Sequence, residues 1–113
     1  MNMDINWIIS RLECKTNENG LSNVVYKIHW KCVATQTLNE ITYSSEIGGP
    51  LEISSPDPNN FTIYESLTKE QIISWITGTL GTQGTQEVYD YLQNGLNEQI
   101  NPSIVSLEPP FEN

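Results

Sequence analysis

The side chains that could do chemistry in this chain are few: one histidine, His29, two cysteines, Cys14 and Cys32, and fourteen carboxylates. Proton transfer or nucleophilic attack would need His29 beside an acid, a thiol or a hydroxyl. In the sequence it stands between Lys27 and Lys31, and the strand pairing implied by a turn at Asn19-Gly20 sets it opposite Ser10, away from any acid. No GxSxG nucleophile motif is present, so a Ser-His-Asp arrangement would rest on His29 alone. Glu87 and Asp90 share a helix face but fit a solvated acidic surface better than an acid/base pair. Glu46, Glu52, Asp57 and Glu65 are scattered, without the spaced D-x-D-x-D-G of a calcium loop. Two cysteines and one histidine fall short of the four ligands of a zinc site. No glycine pattern forms a phosphate-binding loop between a strand and a helix. The expectation is a protein that is not an enzyme and holds no metal and no cofactor.

Charge points the same way. Fourteen acidic against five basic residues give a formal net charge of −9, and Arg11, Lys15, Lys27, Lys31 and Lys69 are dispersed. Nucleic acid needs a basic patch to neutralise phosphates, so no nucleic-acid partner is expected. No apolar run approaches the roughly 20 residues of a membrane span. The start MNMDINWIIS lacks the basic region and small-residue cleavage site of a secretory signal. Synthesis and retention in a cytosol follow, with the cysteines as free thiols.

The elements that would position these residues centre on Val24 to Ala34, VVYKIHWKCVA. Val24, Tyr26, Ile28, Trp30, Cys32 and Ala34 alternate with Val25, Lys27, His29, Lys31 and Val33, the period-2 pattern of a strand with one buried face. Strands are expected over about 5–14, 24–35 and 39–47, joined by an exposed tip around Asn19-Gly20 and a reversal near Gln36-Thr37. The first hairpin sets Ile5, Trp7 and Ile9 opposite Ala34, Cys32 and Trp30, and Cys14 opposite Val25. That places the two thiols on the order of 20 Å apart. The second sets Tyr43 opposite Trp30 and Ile41 opposite Cys32, so both hairpins bury the same face.

Residues 48–62 contain two glycines and three prolines and are expected as a surface loop, with Leu51 to Ile53 able to tack onto a sheet edge. Thr68 with Gln71 reads as a capping box opening a helix over about 69–80, which Gly81 ends in the left-handed conformation. Val88, Leu92, Leu96 and Ile100 mark a second helix over about 85–101, stopped by Pro102. The expected fold is a single α+β domain. A three- to four-stranded antiparallel meander packs on a C-terminal two-helix hairpin, with an extended tail over 102–113.

Asn6-Trp7, Val25 through Trp30, YESLTKEQIISW at 64–75, LNEQINP at 96–102 and the closing Pro-Pro-Phe at 109–111 together resemble a family of small tailed-bacteriophage proteins. In those relatives the middle motif reads tyrosine, two residues, Leu-Thr, then Glu-Gln, two apolar residues and a tryptophan, and the chain closes on prolines and an aromatic. Lys69 and the long loop at 48–60 are not features every relative would share. The resemblance brings no catalytic residues. It implies a phage virion structural protein, a capsid cement or decoration protein, made in the host cytoplasm and residing in the virion. Its partners would be phage capsid or other virion proteins. A non-virion phage protein that modulates a host protein, or a tail or neck component, are the alternatives.

Two groups of residues are candidates for meeting a partner. Pro109, Pro110 and Phe111 form either a preordered arm that docks on a partner, or part of a strap lying along the domain or a frayed end. Ile8, Leu12, Val25 and Val33 give the second sheet face an apolar content that could pair two copies back to back or lie beneath the long loop.

Overall fold

The computed structural model describes residues 3–112. Three strands, β1 (Asp4–Glu18), β2 (Leu21–Leu38) and β3 (Ile41–Glu52), form an antiparallel sheet in the order β1-β2-β3. Two single 3-10 turns, Pro58–Asn60 and Tyr64–Ser66, lead into one helical element, α1 (Lys69–Ile100), and an extended tail follows. The chain is long rather than round, 73 Å by 32 Å by 25 Å. Its radius of gyration of 19.7 Å compares with about 13 Å for a compact chain of this length.

The first hairpin has the expected pairing. Ile5 faces Ala34, Trp7 faces Cys32, Ile9 faces Trp30 and Cys14 faces Val25. Its tip is a two-residue turn rather than a long exposed one. Asn19 and Gly20 both adopt positive φ, 53° and 85°, the backbone that matches the twist of the flanking strands, and Asn17 Oδ1 accepts from Gly20 N–H. Two compensating irregularities lie within the ladder. Ser10 in β1 and Tyr26 in β2 are each an extra residue, so the three rows between them are offset by one. His29 therefore sits opposite Arg11, not Ser10.

The second hairpin differs from expectation. Its turn is Asn39-Glu40, with φ of 51° and 67°, so Tyr43 pairs with Gln36 and Cys32 with Ile47. Glutamate rarely enters the left-handed region, which is why the residues gave no strong turn signal there. The displacement is an even number of residues, so side chains stay on the expected face. β3 then runs through Gly48-Gly49-Pro50 to Glu52, where a loop over 48–62 was expected. An edge strand pairs on one side only, so Pro50 can turn its missing N–H outward. Gly48 has no room for a side chain, because a Cβ there would run into the Trp30 carbonyl and lie 2.9 Å from the Lys31 Cα.

The largest correction concerns the helices. Among the described residues there is no two-helix hairpin; one helical element spans 32 residues and packs along one sheet face. Gly81 leaves helical geometry as foreseen (φ 77°, ψ 175°), but the helix resumes at once, leaving none of the 2 to 5 loop residues a reversal requires. The strands explain why. At about 3.3 Å per residue, the 18 residues of β2 span roughly 59 Å, and a 32-residue helix spans roughly 48 Å. Two helices of 12 to 17 residues folded side by side would leave half that face in water.

The core lies between α1 and the sheet. Ile28, Cys32, Ala34, Ile76, Leu92 and Leu96 are fully buried, and Trp7 packs on Trp30 with ring centroids 5.5 Å apart and meets Tyr89 edge-on at 6.3 Å. At the helix start Thr68 Oγ1 caps Gln71 N–H, while the Gln71 side chain donates to Thr62 Oγ1, tying the preceding loop to the helix.

Two glycines three residues apart should respond oppositely to alanine. Gly81 occupies a region nearly exclusive to glycine, so Gly81→Ala is expected to lose about 1–3 kcal/mol. Gly78 is exposed in regular helix with open space around its Cα, so Gly78→Ala is expected to gain about 0.5–1 kcal/mol. Urea denaturation of both variants checks the pair, and equal signs would contradict the kink.

Candidate functional site

The sheet face away from α1 is built from the residues between the buried ones. β2 supplies Lys27, His29 and Lys31, flanked by Arg11 and Glu13 on β1 and by Glu46 and Glu52 on β3. Lys31 pairs with Glu46 at 3.6 Å and Lys27 with Glu52 at 3.9 Å. Such solvent-screened pairs contribute about 0–1 kcal/mol each. The densest contact is His29 with Glu13, which the one-row offset brings diagonally together. The short contact to a carboxylate places the hydrogen on His29 Nε2. That nitrogen cannot also accept, so Arg11 Nη2, 3.5 Å away, is a charged neighbour rather than a donor. The hydrogen bond from His29, together with the charges of Lys27, His29 and Arg11, holds the Glu13 carboxyl below its ordinary range.

This pair was not foreseen, because its formation depends on the extra residue at Ser10. A Glu13 and a histidine at the same end of two paired strands was the available signal. It lies on an open sheet face, and neither of the grooves described below is lined by His29 or Glu13. The thiols are equally unsuited to attack. Cys14 and Cys32 are free, burial pushes the Cys32 thiol up to about 11, and burial also raises Cys14. Among the described residues no three His, Cys, Asp or Glu side chains cluster as metal ligands, and no helix is long and apolar enough to cross a membrane.

The four apolar residues expected on the second face are divided by the structure. Ile8 and Val33 share the face of Lys31 and Glu46. Leu12 and Val25 do not: beyond the extra residues at Ser10 and Tyr26 the alternation inverts, and both turn to the side of α1. Leu12 lies opposite Ile28, and Val25 joins the buried core. Val25, with Val24, also borders a cavity of about 470 Å³ beneath the segment that follows β3, together with Ile53, Phe61, Trp75 and Asp57.

A second groove, of about 490 Å³, opens between β1 and the start of α1. Ile8, Ile9, Leu12, Tyr64 and Ile72 line it, with Lys69 at its border. Neither groove was legible, since both arise where residues 53–68 wrap from the β3 edge to the helix start. Pro109, Pro110 and Phe111 belong to a tail in which all residues from 101 to 112 are exposed. Its root is fixed where Glu98 Oε1 accepts from Ser103 N–H and Oγ, at 2.8 and 2.6 Å, bonds that also lower the Glu98 carboxyl. Beyond that root Ile104 is 85% exposed, Leu107 84% and Phe111 66%. The tail is thus no strap on its own domain; it stands in solvent carrying apolar side chains.

Glu13 sets a pH dependence. Its carboxyl is depressed in the folded chain, so its stabilising contribution is present above the ordinary glutamate value of 4.5 and is lost as pH falls through the lower folded value. Glu98 titrates in the same direction. In Glu13→Gln the decline of thermal stability below pH 4.5 should therefore be shallower than in the wild type, but not absent. Differential scanning fluorimetry between pH 3 and 7 reads both slopes, and identical slopes would contradict the assignment.

Residues 2–111 match the family described as "Domain of unknown function (DUF7936)". No curated protein and no solved structure matches the chain.

Proposed function

We propose a role in assembly for this chain, which belongs to the DUF7936 family: it binds protein partners through its C-terminal arm. The observation that carries this reading is the arm itself. Ile104, Val105, Leu107 and Phe111 stand in water on a segment of 12 exposed residues, 101–112, closed by Pro109-Pro110. Fully burying one such side chain is worth about 1.5–3 kcal/mol. Prolines lower the entropy lost when an extended segment is fixed on a partner. The rest of the molecule supplies a rigid mount, a sheet and helix whose core is continuous along their length.

The motif resemblance to small tailed-bacteriophage proteins supports a specific setting, the virion, with this chain as a capsid cement or decoration protein made in the host cytoplasm. Such a protein works by bridging neighbouring capsid subunits, and a stable bridge of this kind buries about 1,200–2,000 Å² in total. The chain's net charge of −9 disfavours non-specific association of free copies while the arm provides the adhesive surface.

Mass spectrometry of purified virions is expected to find the chain at capsid-like copy number. A few copies per particle would indicate a tail or neck component instead. Absence from particles with co-purification of a host protein would replace the virion setting by host modulation. Truncation after Ser106 tests the arm directly: thermal stability should be unchanged, since no core residue is removed, while incorporation is lost. A lower melting temperature would show the arm to be part of the fold.

A further inference from the structure

The chain carries the same reactive dipeptide in two different settings, Glu18-Asn19-Gly20-Leu21 and Gln93-Asn94-Gly95-Leu96. Asparagine before glycine is prone to lose its side-chain amide, because glycine has no Cβ to hinder the approach of its nitrogen to the preceding side chain. The residues on either side are the same or nearly so, glutamate against glutamine before and leucine after, so the fold decides which junction reacts. We propose that Asn19 is a deamidation site, that Asn94 is shielded, and that Asn17 sets the rate at Asn19.

In the reaction the Gly20 N–H gives up its proton to solvent base, and the nitrogen attacks Asn19 Cγ. The N–Cγ bond forms, the Cγ–Nδ2 bond breaks, and the amide group leaves as ammonia with a proton returned by solvent. Water then opens the cyclic imide. Breaking the new N–Cγ bond leaves aspartate at position 19 on an ordinary backbone. Breaking the original peptide bond instead leaves isoaspartate, with the chain routed through the side chain.

The two settings oppose and permit these steps. α1 departs from helical geometry only at Gly81, so the Gly95 N–H belongs to the helical hydrogen-bond ladder. Gly95 is also pressed against β3, with the Ser45 side chain standing where a Cβ would lie. Attack by its nitrogen requires α1 to unwind and lift from the sheet. Asn19 and Gly20 are exposed at a hairpin tip, with open space around Gly20. The ladder closes at Glu18 and Leu21, which leaves the Gly20 N–H outside it. What holds that N–H is Asn17 Oδ1, 3.2 Å away. The bond must break before the nitrogen can attack, so Asn17 acts as a brake.

Both products alter this end of the molecule. Each places a carboxylate next to Glu18, whose Oε1 accepts from Ser55 Oγ at 2.9 Å and lies 3.5 Å from Lys15 Nζ. Isoaspartate also adds a backbone atom to a two-residue turn whose φ values of 53° and 85° match the twist of the strands. Ser55 lies in the segment after β3, so the change reaches from the tip to the cover of the 470 Å³ cavity.

Peptide mapping by mass spectrometry, on the full chain held at mildly alkaline pH, tests this. Asn19 is expected to convert while Asn94 stays intact, and in denaturing urea the two should convert at similar rates. Asn17→Ala should speed conversion at Asn19 by roughly two- to tenfold, the effect of removing one hydrogen bond. Asn17→Asp, which keeps an acceptor oxygen, should not. Asn17 is exposed, and an unchanged melting temperature confirms that both variants fold. Conversion of Asn94 as fast as Asn19 in the folded chain, rates that already differ in urea, or an Asn17→Ala variant no faster than the wild type would each overturn the proposal.

Discussion

Everything in this molecule depends on covering the buried face of β2. Ile28, Trp30, Cys32 and Ala34 present a continuous apolar row that β1 and β3 widen with Trp7, Ile9 and Ile47. Hydrophobic gain scales with the area withdrawn from water, so the row demands a cover of its own length. One helix, bent at a glycine, meets that demand: Ile72 and Ile76 serve one end, and Val88, Leu92 and Leu96 serve the other. The elongated outline of the body follows from strand length, not from a loose architecture.

The paired irregularities at Ser10 and Tyr26 show how a small change in backbone alters a whole surface. Each adds one residue, and together they return the strands to their original register. Between them lie Arg11, Glu13, Lys27 and His29, a compact group of opposite charges facing solvent. Leu12, in the middle of these rows, packs against the core, and Val25, just beyond them, joins it. The outer face is thereby mostly charged, and the most exposed large apolar side chains among the described residues stand on the arm.

Much of the sheet was legible because Asn19-Gly20 is a strong turn signal and alternation in β2 is unambiguous. The pairing of Trp7 with Cys32 and the contact of Trp7 with Trp30 followed from those two facts. The turn at Asn39-Glu40 was not legible, since one of its two left-handed residues is a glutamate. The helices were misjudged for a different reason. Gly81 does depart from helical geometry, but whether a glycine ends a helix or only bends it depends on the length of the surface beneath, a property of the strands. The candidate site suffered most. The His29 pair depends on an unpaired residue, and the groove depends on the course of residues 53–68, neither of which periodicity encodes.

The second hairpin has a kinetic consequence. A slip of β3 along β2 by an even number of residues keeps every apolar side chain facing the core, so slipped hairpins compete with the native one at little hydrophobic cost. Strands of 18 and 12 residues offer several such alternatives. The means of rejecting them is steric: only where Gly48 meets the backbone of Trp30 and Lys31 can β3 approach so closely. A glycine with no side chain of its own thus acts as a register key, admitting one alignment among several that the hydrophobic effect alone would tolerate.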